Sequence, residues 1–65
     1  MLEPRVFIIL VNYNNAHDTF ECVESIQENN YSNYEVVIVD NKSTDHSAVQ
    51  LRMNQARYHY ILLEA

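Results

Sequence analysis

Two apolar, β-branched runs set the terms for this 65-residue chain, and each ends in a polar phrase. The first run, Val6-Phe7-Ile8-Ile9-Leu10-Val11, leads into Asn12-Tyr13-Asn14. The second, Val36-Val37-Ile38-Val39, leads into Asp40-Asn41-Lys42-Ser43-Thr44-Asp45. Strands buried on both faces read as unbroken apolar runs of this kind, as in parallel sheets. An amphipathic stretch of about residues 16 to 28 separates them, with Phe20, Val23, Ile26 and Gln27 at helical spacing and Glu21, Glu24 and Glu28 opposite. In open α/β sheets, ligands bind in the crevice beyond the carboxyl ends of the strands. The spacing therefore predicts that Tyr13 and Asp40 share one crevice.

The rest of the chain extends the pattern. Pro4 suits the start of a strand. Asn15 or a neighbour can cap the first helix, and Asp18 favours its first turn through the helix dipole. Asn29-Asn30 ends that helix, and Tyr31 to Tyr34 connects it to a strand over Glu35 to Val39. Ser43 or Thr44 can cap a second helix from about Asp45 to Gln55, whose stripe is Val49, Leu51, Met53 and Ala56. Residues 58 to 63 read as a third strand, with Tyr58 and Tyr60 on one face. The order is β-α-β-α-β, which implies a three-stranded parallel α/β sheet with right-handed crossovers. The expected strand order is 3-2-1, with both helices on one face. Phe7, Ile9 and Val11 then lie on the opposite, uncovered face. The chain reads as one unit, residues 1–65, that is the amino-terminal piece of something larger.

Composition excludes several classes. A net charge of −5, from nine acids and four bases, argues against nucleic acid and against an anionic membrane surface. No apolar run approaches the roughly 20 residues of a membrane span, and no signal peptide is evident. The absence of glycine removes any Gly-rich phosphate loop. Eight asparagines can take over left-handed turn positions. Cys22 is the only cysteine, which fits a reducing, cytoplasmic setting. Its expected role is a small, partly buried helix residue. His17, His46 and His59 lack ligand spacing and read as surface residues.

Asp40, at the end of the second strand, can accept hydrogen bonds from a ribose or a base edge, or can simply form the turn. Tyr13 can stack on a flat base while its hydroxyl reaches water, or can be an ordinary half-buried tyrosine. Asn12 and Asn14 can orient a ligand or make the turn. Asp45 reads as a helix-capping acid.

Taken together, "VFIILVNYNN", "FECVESIQ", "YSNYEVVIVDNKSTD" and "YHYILLEA" resemble the start of family-two nucleotide-sugar glycosyltransferases with the GT-A fold. The resemblance implies a partial Rossmann-like nucleotide-binding half. It implies that Val11, Asn12, Tyr13 and Asp40 bind the nucleotide, with Val11 and Tyr13 on the base and Asp40 hydrogen-bonded to it. It implies a UDP-, GDP- or dTDP-sugar donor, transfer to an acceptor hydroxyl, and a divalent ion, Mg or Mn. The metal-binding Asp-x-Asp and the catalytic base of that family lie beyond the end of this sequence. No catalytic or metal-ligating residue is therefore expected here, and the whole enzyme is expected in the cytoplasm or at the cytoplasmic face of a membrane. Many members carry glycine where this chain has Lys42.

Two rivals stand beside this reading. A self-associating module would cover the bare sheet face or the edge of the first strand with a second copy. A receiver-like domain would use Asp40 as a phospho-acceptor, but receivers need acids where Asn12 and Asn14 stand.

Overall fold

The computed structural model describes residues 4–29 and 31–65. Three strands form one parallel sheet: β1 (Val6–Asn12), β2 (Tyr34–Asp40) and β3 (Tyr60–Glu64). Their order is β1-β2-β3, so β2 is central, as the pattern implies. Helix α1 (Ala16–Gln27) makes the first crossover; α2 (Ser47–Met53) and the single turn α3 (Gln55–Tyr58) make the second.

Strand alternation divides the chain into two faces. Val36, Ile38 and Tyr60 are buried beneath the helices with Val23 of α1 and Leu51 of α2. Leu10, Phe20, Ile26, Tyr34, Tyr58 and Leu62 pack around them. The other face is bare: Phe7, Ile9, Val11, Ile61 and Leu63 are exposed. Both helical connections lie on one side, as expected for a sheet that grows in one direction.

The second crossover differs from its sequence pattern. Asn54 stops α2, because its backbone N–H and its side-chain Nδ2 both donate to the Gln50 carbonyl, at 3.1 and 2.8 Å. A side chain that competes in this way for helix carbonyls favours a break. After the α3 turn, His59 takes a left-handed conformation (φ 58°) and turns the chain into β3. Tyr58 therefore lies on a helix rather than beside Tyr60 on the strand. Its ring stacks on Phe20, with centroids 5.5 Å apart. Tyr60 points into the core and its hydroxyl donates to the Leu51 carbonyl.

The expected α2 stripe is also corrected. Leu51 is buried, but Val49, Met53 and Ala56 are exposed. The inward face is Ser47 and Leu51, one turn apart. Neither Ser43 nor Thr44 caps this helix; its first turn is held by Asp45, whose Oδ1 accepts the Ser47 N–H at 2.8 Å. Cys22 is exposed rather than partly buried. Helix α1 ends with Glu28 as C-cap, and Asn30 lies outside the described residues.

Without glycine, three other residues among those described occupy left-handed positions: Asn14 (φ 51°), Lys42 (φ 53°) and His59. For asparagine the cost is reduced by local hydrogen bonding, whereas a residue such as Lys carries about 1–2 kcal/mol of strain there. Lys42 thus adopts the backbone shape that a glycine would take freely.

Candidate functional site

The parallel register pairs Asn12 with Asp40 and Asp40 with Glu64, so the three strand tips lie side by side. The Asn41 N–H donates to the Asn12 carbonyl at 2.9 Å and continues this alignment past the end of β2. Tyr13 follows Asn12 directly. The tips of β1 and β2 therefore meet at one end of the sheet, where the sequence places them.

Asn12 and Asp40 face the helix side and are buried, at 1% and 3% exposure. The Asn12 Nδ2 donates to Asp40 Oδ1 at 3.0 Å and to Ser43 Oγ at 3.2 Å. A carboxylate only accepts hydrogen bonds, so this contact fixes which way the amide points. The amide oxygen then accepts from Thr19 Oγ1 at 2.6 Å. Every polar atom of the Asn12 side chain is thereby engaged.

Asp40 is held by more than Asn12. Its Oδ1 also accepts from Ser43 Oγ at 2.6 Å, and its Oδ2 accepts the Ser43 N–H at 3.3 Å. Burial pushes this carboxyl up. The hydrogen bonds from Ser43 and Asn12, together with the Arg52 charge, outweigh it and hold the group below its ordinary value. Asp40 is thus a stable carboxylate with one oxygen, Oδ2, carrying a single protein hydrogen bond.

Asn14 fastens the two loops above this network. Its backbone N–H donates to Ser43 Oγ at 3.0 Å and its Nδ2 to Thr44 Oγ1 at 3.1 Å. Its Oδ1 accepts the Thr44 and Asp45 N–H groups at 2.7 and 3.2 Å. The left-handed backbone of Asn14 allows this closure. Tyr13 therefore sits between two anchored neighbours while its own side chain stays 57% exposed.

A cavity of about 420 Å³ opens beside β1 at this end, lined by Val11, Asn12, Tyr13, Asn15, Asp18 and Thr19 among others. Of the four residues expected to bind a nucleotide, Val11, Asn12 and Tyr13 line this cavity. Asp40 lies one strand further in, reaching it only through Asn12. The side chain of Val11 belongs to the bare face of the sheet.

Thr19 and Ser43 hold the two central side chains, yet neither is among the site residues expected from the sequence, where Ser43 figures only as a possible helix cap. Thr19 could have been found on the helical wheel, since it shares the buried face of α1 with Ala16 and Val23. Ser43 carries no periodic signal, because its role depends on the turn that folds it back on Asp40.

Among the described residues, one group could offer three metal ligands: His17, Asp18 and Glu21, all exposed, with ligand atoms within 4.8 Å of one another. Its donor set does not fit the expected Mg or Mn. Such ions prefer oxygen ligands and share them with substrate phosphates, whereas His17 brings a nitrogen already paired with Glu21 at 2.6 Å. The histidines are otherwise surface residues, as expected.

Comparison with known proteins decides the lineage. The profile for glycosyl transferase family 2 matches residues 7–65, nearly the whole chain. The chain belongs to glycosyl transferase family 2. No curated protein and no solved structure matches it. The α/β parallel sheet is consistent with part of a GT-A, Rossmann-like half, and membership assigns the chain broadly to glycosyltransferase function. No helix among the described residues is long and apolar enough to cross a membrane.

Proposed function

We propose that the tips of β1 and β2 bind the nucleotide of a nucleotide-diphosphate sugar, within a protein that transfers the sugar to an acceptor hydroxyl. The observation that carries this reading is the anchoring of Tyr13. Asn12 and Asn14 are each tied to Ser43 in the β2–α2 loop, and Tyr13 between them lines a cavity of about 420 Å³. A flat base can stack on such a ring at reduced ordering cost, because the backbone on either side of it is already anchored. Val11 supports the base edge at the cavity wall. Asn12 lines the cavity in a fixed orientation. Asp40 acts on the base through Asn12, whose amide its Oδ1 keeps in place. Neither a base for the acceptor hydroxyl nor a fitting set of metal ligands stands among these residues.

The test is an NMR titration of the chain with UDP, GDP and dTDP, with and without Mg or Mn. Shifts should center on Tyr13, Asn12 and Asp40 for at least one nucleotide. Tyr13→Ala should abolish them while leaving the rest of the spectrum intact. Saturating nucleotide with no shift at these three residues would reject the reading.

A specific observation favours a second, compatible property. Phe7, Ile9, Val11 and Leu63 form an exposed apolar surface on the bare sheet face. We infer that a second copy covers this face or the β1 edge. Sedimentation should find a dimer or larger species at tens of micromolar, and a monomer at that concentration would remove the inference.

A further inference from the structure

We propose that Asp18 selects the base of the ligand, and that the base it selects is guanine. The inference rests on the nucleotide reading above and names the base that the site takes. Its first ground is position. Asp18 lines the same cavity as Tyr13, together with Asn12, Asn15 and Thr19. It stands in the first turn of α1, next to Thr19. Thr19 is buried, and its hydroxyl donates to the Asn12 amide oxygen at 2.6 Å. The turn that carries Asp18 is thereby tied to the tip of β1, while Asp18 itself stays exposed.

The second ground is the balance of donors and acceptors around the cavity. Asn12 Nδ2 already donates to Asp40 Oδ1 and Ser43 Oγ, and the Thr19 hydroxyl is directed to Asn12. Asn15 and the Tyr13 hydroxyl can each donate or accept, so they do not discriminate between bases. Asp18 is the only acid in the lining, which holds no basic residue. Its carboxylate only accepts. Asn15 Nδ2 donates to Asp18 Oδ2 at 2.9 Å and steadies the group, whereas Oδ1 makes no hydrogen bond among the described residues. His17 does not compete for it, because its Nε2 is paired with Glu21 at 2.6 Å.

The third ground is the chemistry of the base edges. Guanine carries N1–H and the exocyclic N2 amine side by side, two parallel donors that match the two oxygens of a carboxylate. Adenine and cytosine set one amine beside a ring-nitrogen acceptor. Uracil and thymine set one N–H between two carbonyl oxygens. Against any of these four, a carboxylate gains a single hydrogen bond and turns its other oxygen toward an acceptor. Paired hydrogen bonds to an ionised acceptor add both strength and geometric specificity.

The experiment is an NMR titration of the intact chain with GDP, IDP, UDP and ADP, which share the ribose and diphosphate and differ in the base. GDP should bind the wild type roughly tenfold more tightly than UDP or ADP, the worth of one two-pronged base contact. IDP lacks the N2 amine and should bind roughly threefold more weakly than GDP. Asp18→Asn replaces one acceptor by a donor at an exposed position. It should bind UDP as the wild type does and lose the preference for GDP, with the core resonances of Val23 and Ile38 unmoved. A wild type that binds GDP no more tightly than UDP overturns the proposal and leaves the nucleotide site standing. So does IDP binding as tightly as GDP, and so does an Asp18→Asn protein that keeps the preference. Failure of all these nucleotides to shift Tyr13 in the wild type removes the site and this proposal together.

Discussion

Replacing Asn12 with aspartate should make the fold depend on pH in the opposite sense to the wild type. Asn12 Nδ2 lies 3.0 Å from Asp40 Oδ1, and both side chains are buried. Asn12→Asp has nearly the same shape but puts a second carboxylate oxygen in the donor's place. Two unit charges at that distance repel by about 5.5 kcal/mol at an effective dielectric constant of about 20. A domain of this size has a total stability of only about 3–10 kcal/mol. The variant should therefore be largely unfolded at pH 7. On acidification the pair takes up one proton, which bridges the two carboxyls. That carboxyl has a folded-state pKa raised above its unfolded value. Its stabilising effect is present at acid pH and is lost as pH rises through the raised pKa. The wild type behaves the other way. The Asp40 pKa is lowered from 3.8, so its contribution is present at neutral pH and is lost as pH falls through the lowered value. Thermal melts followed by circular dichroism at pH 4.5 to 8 separate the two. The melting temperature of Asn12→Asp should climb steeply from pH 7 to pH 5, at about 4–8 °C per kcal/mol for a small domain. Parallel profiles for variant and wild type would refute the buried Asn12–Asp40 contact.

Two further outcomes concern the core. Leu51 is fully buried between α2 and the sheet, so Leu51→Ala should cost about 2–5 kcal/mol; Val49→Ala, on the exposed side of the same helix, should cost less than about 0.5 kcal/mol in urea titration. Burial, with the neighbouring Tyr58, raises the Tyr60 pKa to about 12 from 10.0. The neutral phenol stabilises the fold below pH 10, and that contribution should be lost between pH 10 and 12. Tyr60→Phe should flatten the stability profile over this window, and an unchanged profile would show that Tyr60 is not buried as described.

The sheet was legible because its strands announce themselves by unbroken apolar runs, and because parallel connections leave few choices of order. The α1 face was legible for the same reason, since twelve residues give a clear period. The second crossover was not. Seven residues of α2 are too few to distinguish Ser47 and Leu51 from Val49 and Met53. The break at Asn54 depends on a side chain taking a carbonyl, which no apolar spacing reveals. At the site, Asn12, Tyr13 and Asp40 could be placed at one end from strand polarity alone. Their different exposure could not, because it depends on Thr19 and Ser43, which reach Asn12 and Asp40 only after the turns form.

The most direct measurement is of intermolecular nuclear Overhauser effects between a bound nucleoside diphosphate and the five tyrosines of the chain. Contacts from the base protons to the Tyr13 ring, with Asn12 side-chain amide protons nearby, are the predicted result. Contacts instead to Tyr31 and Tyr34, at the opposite end of the strands, would contradict a nucleotide site at the tips of β1 and β2.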